Sequence, residues 1–222
     1  MAKLAFIDCD STLSSIEGID ELARFRGPEL LSQVEDLTNA AMDGKVPLAD
    51  VFGKRIDLIK PDRKLCEKVQ QLYIDTAEPS AKELVSRLKS DGWTVVILSG
   101  GFRELIYPFA EFLGVDKVLA VPLYLTETGD YRDFDRAYPT TYNGGKPELI
   151  REEMAKVSTT QSLMVGDGIS DLEAKEVVTT FVGFGGYIKR CAVEQQSDYY
   201  INELKQLFKE GSDLESLIFQ GS

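Results

Sequence analysis

Residues 4–13 read "LAFIDCDSTL", four apolar residues, two aspartates flanking a cysteine, then a hydroxyl pair. A short apolar run that ends in acid suits a buried strand whose carboxyl end reaches a site. Two carboxylates a few ångströms apart repel, and the arrangement costs free energy unless a cation or a shared proton relieves it. Side chains alternate along an extended chain, so Asp8 and Asp10 are expected on one side and Cys9 on the other, toward the core.

Outward from this strand the pattern changes at once. From Ser14 to about Ser80 it is helical: "SIEGIDELARF" puts Ile16, Ile19, Leu22 and Ala23 on one face, and "DRKLCEKVQQLY" does the same with Leu65, Val69 and Leu72. Between them "GPELLSQVEDLTNAAMDG" opens on Gly-Pro and closes at Gly44, marking one or two further helices. This stretch reads as an insertion covering the end of the first strand. After Pro79 helix and strand alternate: "SAKELVSRLKSDG" a helix, "WTVVILSGG" a strand, "FRELIYPFAEFLG" a helix, and "KVLAVPLYLTETGDYRDF" a hairpin. Then "KPELIREEMAKV" is a helix, "QSLMVGDG" a strand, "ISDLEAKEV" a helix and "TTFVGFGG" a last strand. Strands separated by helices predict a parallel sheet with helices on both faces, whose ligands sit beyond the strands' carboxyl ends.

Composition narrows the chemistry. The 222 residues suffice for one sizeable core and an appended element. A formal net charge of -12 argues against nucleic acid and anionic membrane as partners, because phosphate backbones are held by clustered Lys and Arg. The apolar runs are too short to span a bilayer, and "MAKLAFIDCD" resembles neither a signal nor a transit peptide, so a cytoplasmic protein is expected. The three cysteines, Cys9, Cys66 and Cys191, form no C-x-x-C pair, and none is followed at the sixth position by Arg. Histidine is absent. Ser-His-Asp and Cys-His triads and imidazole metal ligands drop out, leaving carboxylates, Lys, Tyr or Cys as acids and bases.

Three strand ends carry polar residues to one sheet edge: "FIDCDST", "VILSGG" and "LMVGDGISD". Asp8, Asp10, Asp167 and Asp171 would therefore converge. A hard cation with oxygen ligands relieves such a cluster, and Mg²⁺ behaves this way. The calcium-loop pattern fails, since the twelfth position from Asp8 is Ile19. A carboxylate kept ionised beside Mg²⁺ points to attack by Asp8 on phosphorus, with Asp10 as the acid that protonates the leaving alcohol and then the base that activates water. Ser99, the N–H groups of Gly100 and Gly101, and Lys146 in "NGGKPEL" can serve the phosphate oxygens. P-loop and dinucleotide signatures are broken at Thr140 and Ile188.

D-x-D-S-T, S-G-G-F, G-G-K and G-D-G-x-x-D, in this order, resemble the haloacid dehalogenase superfamily, and within it the branch acting on phosphoserine. "DSTLSSIEGIDELA", "LTNAAMDGKVP", "GKRIDLIKP", "SGGFRELI", "VGDGISDLEA" and "VGFGG" extend the resemblance over nearly the whole chain. It implies an α/β fold: a doubly wound, Rossmann-like parallel-sheet core over residues 1–13 and 81–222, with a helical-bundle cap, residues 14–80, inserted after the first strand. It implies Asp8 as nucleophile and Asp10 as acid/base, with Mg²⁺ held by the Asp8 carboxylate, the Asp10 carbonyl and Asp167, and Asp171 in support. It also implies that Ser99 and Lys146 hold phosphate, that Glu17 faces a substrate ammonium and Arg55 its carboxylate, and that Met42 closes over the ligand. Ser170, where the family usually has Asn or Thr, is expected to reach phosphate or substrate, and Val121 and Pro122 replace a polar pair at the hairpin. The expected partner is a small phosphate ester, phosphoserine first, with phosphocholine, phosphothreonine or phosphohomoserine as the alternative, acted on by a monomer or homodimer. A non-enzymatic phospho-aspartate switch is the remote rival. Such a switch carries its aspartate on a middle strand and lacks an insertion of this size.

Overall fold

The computed structural model describes residues 2–42 and 48–219; the side chains of residues 38–42, 48, 49 and 160 lie outside the description. Five parallel partnerships make one six-stranded sheet from β1 (Ala2–Ile7), β2 (Trp93–Phe102), β3 (Lys117–Val121), β6 (Thr159–Gly166), β7 (Thr180–Phe184) and β8 (Tyr199–Ile201), in the order β3-β2-β1-β6-β7-β8. The order reverses at β1, which is flanked by β2 and β6. That is the switch point at which open α/β sheets bind ligands. The strands carrying the three polar ends are thus neighbours, as the sequence predicts.

Alternation in β1 shows why a near-continuous apolar run is needed. Ala5 and Ile7 join one core, which includes Leu84 and Leu88 of α5 (Ala81–Ser90) and Phe109 of α6 (Arg103–Leu113). Leu4 and Phe6 join a second core, with Leu149 and Ile150 of α7 (Gly145–Ala155). Both faces of the strand are therefore dry. Phe6 is fully buried, and its truncation to alanine would cost about 3–5 kcal/mol.

Between β1 and β2 lie four helices, α1 (Gly18–Arg26), α2 (Pro28–Met42), α3 (Leu48–Ile59) and α4 (Arg63–Asp75). Asp62 caps α4, its side chain accepting from the Leu65 N–H at 2.9 Å. The apolar stripe of α4 packs inward: Leu65, Val69 and Tyr73 are buried, and the Tyr73 ring stacks on Phe109 with centroids 5.8 Å apart. The helices between β1 and β2 thus share a hydrophobic contact with α6.

The structure corrects the sequence reading in four places. The strand expected through Asp8 stops at Ile7, and Cys9–Leu13 form a wide turn. "TTFVGFGG" is not the last strand, because β8 follows; at three residues it is too short to show a period. The single helix expected from "ISDLEAKEV" is the short α8 (Ile169–Leu172) and then a 3-10 turn (Glu173–Glu176), ahead of a β-branched run at Val177–Thr180. In the predicted hairpin, β3 joins the main sheet, and only β4 (Leu123–Leu125) and β5 (Tyr131–Phe134) pair antiparallel. The chain ends with α9 (Cys191–Gln196), β8 and α10 (Asp213–Ile218). Among the described residues no helix is long and apolar enough to cross a membrane.

Candidate active site

Where β1 ends, the Asp8 N–H donates to the Val165 carbonyl at 2.9 Å, tying the first acidic residue to β6. The turn that follows is held by the Ser14 N–H on the Cys9 carbonyl and by the Ser11 N–H on the Ile16 carbonyl. Ser11 has φ 52°, a left-handed conformation costing about 1 kcal/mol for a residue with a Cβ. These bonds fix it. The turn places Asp8 and Asp10 on one cleft and buries Cys9 in the core, so the expected sidedness holds although the backbone is no longer a strand.

The cleft, ≈ 240 Å³, is lined by Asp8, Asp10, Lys146, Asp167 and Asp171 on the sheet side and by Glu17, Asp20, Phe52 and Arg55 on the helical side. Gly100, Gly101 and Ser170 also line it. Lys146, buried in the first turn of α7, donates to Asp8 Oδ1 at 2.7 Å and to Asp171 Oδ1 at 2.5 Å. Asp171 is fully buried, and the other oxygen of its carboxylate accepts from the Gly168 N–H at 2.8 Å. Gly166 is required by this close approach, since a Cβ there would overlap the Asp171 carboxyl.

Charge crowding decides the chemistry available. Burial, then Asp171, push the Asp8 carboxyl well above its ordinary range, against the pull of Lys146. Burial and Asp171 likewise push Asp167 up to about 7, and Arg190, whose Nε lies 3.3 Å from Asp167 Oδ2, opposes them. Lys146 is lowered by burial and raised more by Asp171 and Asp8, so the ammonium is held above its ordinary value. One oxygen from each of Asp8, Asp167 and Asp171 lies within 4.8 Å of the others, and all three residues are buried. Three hard oxygen donors that repel one another fit a divalent cation.

On the other wall Glu17, next to the start of α1, accepts from Ser11 Oγ at 2.7 Å. Burial, then Asp10, raise it to about 7. Arg55 of α3 lies with Nη1 3.9 Å from Asp20 Oδ1 and its guanidinium 5.9 Å from the Phe52 ring. Met42, expected to close over the ligand, is the last residue of α2, and its side chain falls outside the described residues.

Ser99 is fully buried behind the glycine turn and accepts the Gly101 N–H on its Oγ at 2.9 Å, which leaves its own O–H as a donor. Sequence reasoning missed four contributors: Asp20, Phe52, Arg190 and the loop Thr140–Asn143, all of which line the cleft. It also missed Tyr73, whose Oη donates to Asp10 Oδ1 at 2.5 Å. A hydroxyl on the apolar stripe of α4 was the available signal, since buried tyrosines find a partner for the O–H.

Residues 5–176 match the family model for haloacid dehalogenase-like hydrolases. A phosphoserine phosphatase of Mus musculus is 36% identical over 211 residues, covering 94% of this chain and 93% of the relative. One of Methanocaldococcus jannaschii is 32% identical over 220 residues, covering 93% and 96%. Among solved structures, a phospho-aspartyl intermediate analogue of phosphoserine phosphatase superposes with a TM-score of 0.77 at 26% identity, covering 93% of this chain and 97% of the other. A substrate-bound phosphoserine phosphatase complex also gives 0.77, at 25% identity, with coverage of 94% and 97%. With the sheet order, the acidic strand ends and the family match in agreement, this chain belongs to the haloacid dehalogenase-like hydrolases.

Proposed function

We propose that the chain hydrolyses O-phospho-L-serine to L-serine and phosphate, with residues 14–80 as a specificity cap over a core of residues 1–13 and 81–222. The observation that carries this reading is the pairing of two differently treated carboxylates at the end of the central strand. Asp8 is held by an ammonium, and Asp10 is held by a phenol and a backbone N–H. Relatives named for phosphoserine, matching over more than nine-tenths of the chain, support the substrate.

In this mechanism the Asp8 carboxylate attacks phosphorus, and the bond from phosphorus to the serine oxygen breaks as the Asp8 oxygen bond forms. Asp10 delivers its proton to the departing oxygen. Its carboxylate then takes a proton from the water that attacks the aspartyl phosphate, which releases phosphate and restores Asp8. Lys146, the Gly100 N–H and the Ser99 hydroxyl, whose Oγ accepts from the Gly101 N–H and whose O–H remains a donor, serve the charge on the phosphoryl oxygens. A divalent cation, Mg²⁺ in this reading, would be held by Asp8, the Asp10 carbonyl and Asp167 with Asp171 behind, and would supply further neutralisation of that charge. Glu17 receives the substrate ammonium and Arg55 its carboxylate, the pairings that suit an amino-acid zwitterion. Met42 and Ser170 complete the substrate side, and the protein acts in the cytoplasm as a monomer or homodimer.

The test is phosphate release over phosphoserine, phosphothreonine, phosphohomoserine and phosphocholine, with Mg²⁺ and with chelator. Phosphoserine is expected to give the highest kcat/KM, with activity lost on chelation. A flat profile would remove the substrate assignment, and full activity in chelator would remove the cation.

A further inference from the structure

Asp10 carries an asymmetry that the acid/base role alone does not explain. Its Oδ1 accepts from Tyr73 Oη at 2.5 Å and from the Gly18 N–H at 3.0 Å. A carboxyl oxygen has two lone pairs, and both are used on Oδ1. The proton of the acid form therefore belongs on Oδ2. That oxygen faces the glycine turn: a methyl at Gly101 would stand 3.1 Å from it. The two donors come from separate helices, α1 and α4, and converge on one atom.

Tyr73 is built for this and not merely tolerated. It is fully buried, its ring is clamped by stacking on Phe109, and Gly18 makes room for its hydroxyl, because a Cβ at position 18 would collide with Oη. A phenylalanine filling the same volume would need neither the space at Gly18 nor the shared oxygen.

We propose that Tyr73 is a positioning residue that, with the Gly18 N–H, occupies Asp10 Oδ1 and so fixes the acid proton on Oδ2, aimed at the leaving oxygen. The inference rests on the reading of Asp10 as the acid. When the phosphorus–oxygen bond breaks, its electron pair goes to the leaving oxygen and the Oδ2 proton follows, leaving the carboxylate with Oδ1 still held by both donors. Without the phenol, Asp10 can rotate or carry its proton on the wrong oxygen, and general-acid assistance is lost for part of the population.

The experiment compares kcat/KM for phosphoserine, whose alkoxide leaving group needs a proton, with p-nitrophenyl phosphate, whose phenolate does not. Tyr73→Phe keeps the ring and removes the donor. The expected result is a loss of roughly 10–100-fold on phosphoserine, at least fivefold greater than the loss on p-nitrophenyl phosphate. Gly18→Ala, which displaces the hydroxyl by its Cβ, should give the same selective loss and carries the test if Tyr73→Phe is poorly folded. Equal losses on both substrates, or none on either, would overturn the proposal. If the unaltered protein turns over p-nitrophenyl phosphate and not phosphoserine, the substrate assignment fails instead, and the same comparison is made with whichever alkyl phosphate is hydrolysed.

Discussion

On the sheet side of the cleft, Lys146 and Asp8 stand 2.7 Å apart with side chains 5% and 8% exposed, whereas across from them Arg55 and Asp20 stand 3.9 Å apart at 16% and 35%. The first pair hangs on a strand end and a helix start that the sheet holds in register; the second joins two helices that pack on each other. Desolvated charges in short contact cannot be altered singly without leaving a partner buried and unpaired. Looser, wetter pairs can. The contrast teaches that the tight, dry pair is anchored in backbone topology, while the pair between helices leaves more room for substitution.

The contrast can be broken from the strong end first. Asp8→Asn should lower turnover by about 10⁴-fold or more in a phosphate-release assay, and should also lower the melting temperature because it leaves the buried Lys146 ammonium with Asp171 as its remaining carboxylate. Appreciable activity in that variant would remove Asp8 as nucleophile. Arg55→Ala should raise KM for phosphoserine roughly 10–100-fold, the worth of a charge-assisted pair, and spare esters that lack a carboxylate. Equal losses on both kinds of ester would take Arg55 out of substrate binding.

A smaller effect concerns Glu17. Burial raises its pKa from 4.5 to about 7, so in the folded protein it binds a proton more tightly than in the unfolded chain. Stability then falls as pH rises through that interval, by about 1–3 kcal/mol. In chelator and without substrate, Glu17→Gln should raise the melting temperature by a few degrees at pH 8 and leave it unchanged at pH 4, measured by calorimetry. A variant no more stable at pH 8 than the parent would show that the carboxylate is not strained by its site. Least of all should come Asp57→Ala, which cuts the exposed pair between α3 and Arg136 (2.7 Å) near β5. Its cost should stay below about 1 kcal/mol in urea unfolding.

Legibility followed the same divide. Asp8, Asp167 and Lys146 could be placed from sequence because apolar runs ending in acid, and a glycine turn before a helix, fix where strands stop and helices start. Residues that meet across long loops could not. Arg190 reaches Asp167 from an irregular segment with no period, and Thr140–Asn143 arrive on a turn whose path depends on the hairpin. Ser99 carries a further contact that its type alone did not announce, the Gly101 N–H donating to its Oγ. Tyr73 was not singled out beside Leu65, Val69 and Leu72, and only the three-dimensional meeting of α1, α4 and the first turn gives its oxygen a purpose.

The central place of β1 has a consequence for how the chain is made. Its register pairs Lys3 with Trp93 on one side and with Gln161 on the other, so its nearer partner is 90 residues downstream (93 − 3). At a synthesis rate of about 5–20 residues per second, β1 waits roughly 5–20 s for its first neighbour. The helices that follow can form at once from local contacts, while "LAFI" stays exposed. A strand dry on both faces in the finished protein is therefore left without its partners for seconds in the nascent one.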